Sequence, residues 1–144
     1  MALSDRRLTA PVIAQVTTVV GGINTTATAV ELPHIPNGVI FLIQLTAAAT
    51  DVGDTLNLTI ETLCGDLWVP VYQATEFLGN GGAKTESSDK IVAGAAEGHD
   101  QSFGAAQSAN AHINVIGRKW RVAYIQVDAD NDAIFTFTVT AIIM

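Results

Sequence analysis

The stretch that decides the fold is AIFTFTVTAII, residues 133–143. Apolar residues occupy every odd-numbered position from Phe135 to Ile143, and threonine occupies positions 136, 138 and 140 between them. Because successive side chains of a β-strand point to opposite faces, this alternation predicts a strand with one face in a core and the other outside it.

The same period of two recurs upstream. In RKWRVAYIQVD, residues 118–128, Trp120, Val122 and Tyr124 fall on one face, and in TLNLTIE, residues 55–61, the leucines and isoleucine alternate with polar residues. The run VIFLIQL, residues 39–45, is apolar on both faces, which is typical of a central strand or of one covered by another subunit. Shorter strands are predicted at about 10–20, 26–32, 67–73, 90–93 and 111–116.

About eight or nine short strands, frequent turns and the lack of a helical pattern predict an all-β, single-domain β-sandwich that is jelly-roll-like. A Greek-key sandwich of another connectivity stays open. Residues 1–11 are predicted to form an N-terminal arm, residues 12–144 the sandwich domain, and residues 79–111 a long inserted Gly/Ala-rich loop. A loop of that length is expected to be functional or to be ordered by a neighbour.

Composition limits the partners. Only 15% of the 144 residues are charged, against about 25% in typical domains, so the surface is poor in charge and suited to assembly. The net charge of −7 argues against a nucleic-acid partner, which would need a basic surface. No apolar run approaches the ~20 residues of a membrane span, and the N-terminus lacks the features of a signal peptide. We therefore expect neither a nucleic-acid nor a membrane partner.

The sequence carries no recognisable catalytic or cofactor motif. The stretch GNGGAKTESSDK, residues 79–90, resembles a phosphate-binding loop but has Ala83 where the glycine before the lysine belongs. His34, His99 and His112 lack metal-ligand spacing, and the single cysteine, Cys64, is expected to be a buried, inert thiol. We therefore predict a protein that is not an enzyme and has no cofactor and no metal.

The acidic run DADND, residues 128–132, resembles the start of a calcium-binding loop. An EF-hand needs glycine at its sixth position and glutamate at its twelfth, where this chain has Ala133 and Val139. A polar hairpin turn between two strands is therefore the preferred interpretation. Whether Asp128, Asp130 and Asp132 bind a cation stays open at this point.

Several aromatic residues are candidates for a sugar-stacking platform. Those on the regular faces of long strands are expected to pack between two sheets instead. The residues considered are Phe41, Trp68, Trp120, Tyr124, Phe135 and Phe137.

Five segments together resemble a known family. They are LNLTIET (56–62), GDLWVPV (65–71), ATEF (74–77), RKWRVAY (118–124) and FTFTVT (135–140). In this order they resemble the strands of small virion structural proteins of tailed bacteriophages, and the likeness covers about residues 38–144. The hairpin CGDLW, residues 64–68, is shorter than the Asp-Gly-rich form common in that group.

The resemblance implies a β-sandwich that decorates or cements the phage head, is made in the host cytoplasm and lies on the outer surface of the virion. The implied partners are the major capsid protein and copies of the chain itself, as a homotrimer or dimer. A tail, baseplate or fibre-associated module and a carbohydrate-binding domain stay as alternatives. The arm and the long loop are expected to make the intersubunit contacts, through Arg6, Arg7, Leu8, Lys84 and Phe103.

Overall fold

A computed structural model describes residues 10–48, 51–92, 100–101, 111–112 and 116–143. These residues form antiparallel strands and a single 3₁₀ turn at Gly79–Gly81. The strands are β1 Val12–Thr17, β2 Ile23–Thr26, β3 Val30–Glu31, β4 Gly38–Ala47, β5 Thr55–Cys64, β6 Leu67–Gln73, β7 Phe77–Leu78, β8 Lys84–Ser87, β9 Ile91–Val92, β10 Asp100–Gln101, β11 Ala111–His112, β12 Lys119–Val127 and β13 Thr136–Ile143. No helix within the described ranges is long and apolar enough to cross a membrane.

Two sheets make up the sandwich. The five-stranded sheet has the order β1-β13-β4-β8, with β9 also paired to β4. The six-stranded sheet has the order β2-β12-β5-β6, with β3 paired to β12 and β7 paired to β5. The remaining two strands, β10 and β11, pair with each other. The prediction of an all-β sandwich is confirmed.

The connectivity is that of a jelly roll. Along the chain, β1 pairs with β13, β2 with β12, β4 with β8, and β5 with β6. The chain therefore forms one long antiparallel hairpin whose tip is the β5–β6 turn, and rolling this hairpin distributes its strand pairs between two sheets. Residues 84–87, which the composition places in the long loop, form β8, so the loop prediction is wrong for this part.

The core lies between the sheets and is built by the predicted alternation. In β13 the residues at 137, 139, 141 and 143 are buried, and those at 136, 138, 140 and 142 face outward. Phe41 of β4 and Trp120 of β12 are both fully buried, with ring centroids 5.0 Å apart across the two sheets. Phe135 and Phe137 are also fully buried, so the packing interpretation of these aromatic residues is confirmed.

One edge of the sandwich is joined by a polar contact. The hydroxyl of Tyr72 in β6 donates a hydrogen bond to the carboxylate of Glu86 in β8, which also accepts the backbone N–H of Thr75 at 3.1 Å. Burial, followed by the neighbouring Glu86 carboxylate, raises the pKa of Tyr72 well above its usual value of 10. Tyr72 therefore holds β6 of one sheet to β8 of the other in its protonated form.

Candidate functional site

Three turns meet at one end of the sandwich: β1–β2, β4–β5 and β12–β13. Gln126, which is buried at the end of β12, joins two of them. Its side-chain amide donates to the backbone carbonyls of Val19 at 2.8 Å, Gly21 at 2.9 Å and Ala133 at 3.1 Å. A buried amide with three carbonyl partners holds both turns in a defined position.

Asp128 organises the β12–β13 turn. Its carboxylate accepts backbone N–H groups from Gly21 at 2.6 Å, Asn131 at 2.7 Å, Asp132 at 3.1 Å and Ala133 at 3.2 Å. Loss of hydration acts to raise the pKa of Asp128, but these hydrogen bonds outweigh it and the pKa is lowered. Asp128 thus stabilises the polar turn between β12 and β13 that the sequence predicts.

The other two aspartates of the DADND run belong to a cluster with the β4–β5 turn. Asp51, Asp54, Asp130 and Asp132 each place one carboxylate oxygen within 4.8 Å of the others. The two turns come together because β5 pairs with β12 and their last paired residues are Thr55 and Val127, directly next to Asp54 and Asp128. We call these four residues the aspartate cluster.

Asp54 is the buried member of the aspartate cluster. Its side chain is 0% exposed, and its Oδ1 atom accepts the backbone N–H of Ala129 at 2.9 Å. The backbone carbonyl of Asp54 accepts the N–H of Gly79 at 2.8 Å. Among the described residues, the Oδ2 atom of Asp54 has no hydrogen-bond partner although it is buried.

Hydrogen bonds shared between carboxyl groups, followed by the repulsion of their charges, raise the pKa values of Asp51 and Asp130. The pKa of Asp51 is raised first by a hydrogen bond shared with Asp130 and then by the charge of Asp130. The pKa of Asp130 is raised chiefly by a hydrogen bond shared with Asp132. Such sharing requires a proton between two carboxyl groups, so the ionised forms are unfavourably close. A set of carboxylate oxygens at this spacing is suited to a hard divalent cation.

A second feature is the outer face of the five-stranded sheet, where strands β1, β13, β4 and β8 place no charged side chain. The Lys90 side chain lies at the margin of this face, beside Gly38. Cross-strand pairing sets Gln15, Thr138, Gln44 and Thr85 in one row and Val12, Thr140, Leu42 and Ser87 in the next. The other residues of this face are Thr17, Ile40, Thr46, Thr136 and Ile142. We call this set of residues the neutral face.

The six-stranded sheet differs, because its outer side carries an ion pair. Arg121 Nε lies 2.7 Å from Glu61 Oε2, and the Arg121 guanidinium lies 4.2 Å from the centre of the Trp68 ring. Charge on β8 also avoids the neutral face, since Lys84 and Glu86 alternate with Thr85 and point to the other side of the strand. The lack of charge is therefore specific to one face of the sandwich.

Of the five residues predicted to make intersubunit contacts, the structure describes one. Lys84 is exposed at the start of β8, and its side chain points away from the neutral face. Arg6, Arg7, Leu8 and Phe103 lie outside the described residues.

The structure describes two of the three histidines and the single cysteine. His34 is exposed in the segment between β3 and β4, His112 is in β11, and His99 lies outside the described residues. Cys64 is a free thiol at the end of β5 and is partly exposed, so the prediction that it is buried is wrong. Its place beside the Gly65-Asp66 turn accounts for this exposure, because the strand there leaves the core.

Sequence reasoning missed Asp51 and Asp54. The signal available was TDVGDT, residues 50–55, a turn that carries two acids immediately before a predicted strand. The motif alone is a common turn composition, and only the pairing of β5 with β12 brings it to the DADND run.

No protein-family model, curated protein or solved structure matches this chain.

Proposed function

We propose that the chain is a structural protein of a bacteriophage virion, namely a head decoration or cement protein that binds the outer capsid surface and stabilises the shell. The observation that carries the proposal is the neutral face. The cores of protein interfaces are depleted in charged residues, and the residues of the neutral face are all uncharged although the chain carries a net charge of −7.

The chemistry of the neutral face fits assembly with a regular partner. Its rows of threonine and glutamine offer hydroxyl and amide groups for hydrogen bonds, and Val12, Ile40, Leu42 and Ile142 supply apolar area. Val12 at the edge is 50% exposed. A surface of this mixture can be buried without the cost of desolvating ions.

The neutral face is smaller than the area that each partner buries in a standard protein interface. With strands about 4.8 Å apart and about 6.7 Å between side chains on one face, its thirteen residues cover roughly 400 Å². A standard interface buries about 800 Å² on each partner. The neutral face is thus about half of a stable interface, and we propose that the predicted arm, residues 1–11, and repetition by symmetry supply the rest.

A charge placed in the centre of the neutral face tests the proposal. Thr138→Lys leaves an uncompensated ammonium group beside Gln15 and Gln44 and is expected to weaken binding to phage heads that lack the protein by at least tenfold. The matched control is Leu67→Lys, at a 71%-exposed position in the β5–β6 hairpin, which should bind as the wild type does.

Co-sedimentation with purified heads measures both variants, and circular dichroism checks that both fold. Equal binding of the two variants, or no binding by the wild type, would overturn the proposal. Binding of the wild type to purified tails and not to heads would move the protein to the tail and refute the head assignment.

A further inference from the structure

We propose that the aspartate cluster is a binding site for a divalent cation, with Ca²⁺ the ion that fits it best. The site joins the β4–β5 turn, through Asp51 and Asp54, to the β12–β13 turn, through Asp130 and Asp132. This inference is independent of the proposed function, because it rests on a different end of the molecule.

The four carboxylate oxygens lie close enough together to bind one calcium ion. Calcium binds oxygen ligands at about 2.3–2.6 Å, so ligands on opposite sides of the ion are about 4.6–5.2 Å apart. Magnesium binds at about 2.0–2.1 Å, which limits opposite ligands to about 4.2 Å. The oxygens of the aspartate cluster all lie within 4.8 Å of one another, so they fit inside the coordination sphere of Ca²⁺. Magnesium usually keeps several water ligands and binds one or two carboxylates, so a set of four carboxylates favours Ca²⁺.

The buried Oδ2 atom of Asp54 also favours a bound cation. A carboxylate that is 0% exposed carries a large desolvation cost unless each oxygen has a partner. Ala129 supplies the partner of Oδ1, but Oδ2 is buried without one among the described residues. Asp128 next to the cluster shows the contrast, since both of its oxygens accept backbone N–H groups. A bound cation supplies the partner that Asp54 lacks.

Within residues 10–48, 51–92 and 116–143, no lysine or arginine forms an ion pair with the aspartate cluster. The ion pairs formed within the described part of the chain are Arg118 with Glu31 and Arg121 with Glu61, and neither involves a cluster member. Four carboxylates that no lysine or arginine of the described ranges neutralises repel one another. A divalent ion replaces this repulsion by attraction to each carboxylate, and water completes the six to eight ligands that Ca²⁺ prefers.

Thermal unfolding of the full chain with CaCl₂ against EDTA tests the site. A cation that binds the folded chain alone raises Tm, by about 5–10 °C when Ca²⁺ exceeds its Kd a hundredfold. Equal ionic strength in NaCl is the control for simple screening, and MgCl₂ is the control for ion size. Isothermal titration with CaCl₂ measures the stoichiometry, which should be one high-affinity ion per chain.

The double variant Asp130→Asn/Asp132→Asn removes two ligands from an exposed turn and should lose both the Tm rise and the heat of binding. In EDTA the double variant should be at least as stable as the wild type, because two repelling charges are gone, and this shows that it folds. Asp66→Asn, in the exposed β5–β6 turn, is the matched control and should respond to CaCl₂ as the wild type does.

A wild type that gains no more from CaCl₂ than from NaCl would overturn the proposal, as would a double variant that keeps the full response. An equal response to MgCl₂ and CaCl₂ would refute the choice of Ca²⁺ over Mg²⁺.

Discussion

Replacing Gly79 with alanine perturbs the end of the sandwich without altering any carboxylate. Gly79 is buried, and its N–H donates to the carbonyl of Asp54 at 2.8 Å. A Cβ atom at this position would lie 2.3 Å from the carbonyl oxygen of Asp51 and 2.9 Å from Cβ of Asp54. Optimal contacts between carbon atoms are at about 3.5–4.0 Å, so the β4–β5 turn must move by about 1 Å.

The structure sets the expected magnitude. Overpacking of a close contact typically costs about 1–3 kcal/mol, and the lower entropy of the unfolded alanine chain returns about 0.4–1 kcal/mol. We therefore expect Gly79→Ala to lower the free energy of unfolding by about 1–2 kcal/mol and Tm by roughly 3–8 °C. Because Asp51 and Asp54 are displaced, the rise in Tm caused by CaCl₂ should also be smaller than in the wild type.

Urea denaturation followed by tryptophan fluorescence measures this effect. Gly22→Ala is the matched control, because its Cβ would meet only the carbonyl oxygen of Gln126, at an ordinary 3.9 Å. The control should be as stable as the wild type or slightly more stable. A Gly79→Ala variant that equals Gly22→Ala would refute the close packing of Gly79 against the β4–β5 turn.

Three further predictions concern packing and polar contacts. Phe41→Ala removes a fully buried ring in contact with Trp120, so it should lower the free energy of unfolding by about 3–5 kcal/mol in urea denaturation. A loss below about 1 kcal/mol would contradict the packing of the core between the two sheets. The pKa of Tyr72 is raised in the folded chain, so its contribution to the free energy of unfolding is complete below pH 10, the usual tyrosine pKa. As the pH rises from that value toward the folded pKa, this contribution is lost at up to about 1.4 kcal/mol per pH unit. The stability of Tyr72→Phe should therefore fall less at alkaline pH than that of the wild type, and an equal fall would contradict the contact with Glu86. Gln126→Leu should cost about 2–4 kcal/mol in thermal unfolding, because three carbonyls lose their donor, and a neutral result would contradict that network.

The sandwich was predictable because the alternation of apolar and polar residues in its long strands matches the alternation of buried and outward-facing side chains. In β13 and β12 every position that the alternation assigns to the core is buried or half-buried in it. The run of residues 39–45, apolar on both faces, is the central strand β4, whose outward Ile40 and Leu42 are half-buried on the neutral face.

Strand β8 was not predictable from pattern. Its residues, KTES, are polar and follow a glycine-rich turn, so neither periodicity nor β-propensity marks them. They become a strand because β4 offers an unpaired edge, and the pairing of Leu42 with Ser87 and Leu45 with Lys84 satisfies backbone groups that would otherwise lack partners.

The sequence indicated two of the four residues of the aspartate cluster. The DADND run suggested either a turn or a cation site, and the structure divides these roles between Asp128, which holds the turn, and Asp130 with Asp132, which join the cluster. The other half needed the register of β5 against β12, which no local pattern contains, because the pairing joins positions about 70 residues apart.

The most direct test of the proposed function is the location of the chain in native phage particles by electron cryo-microscopy. We predict density for the sandwich on the outer surface of the head, with the neutral face around Thr138 buried against a capsid subunit or another copy. Particles that lack the chain, or a bound chain whose neutral face is turned to solvent, would contradict the account.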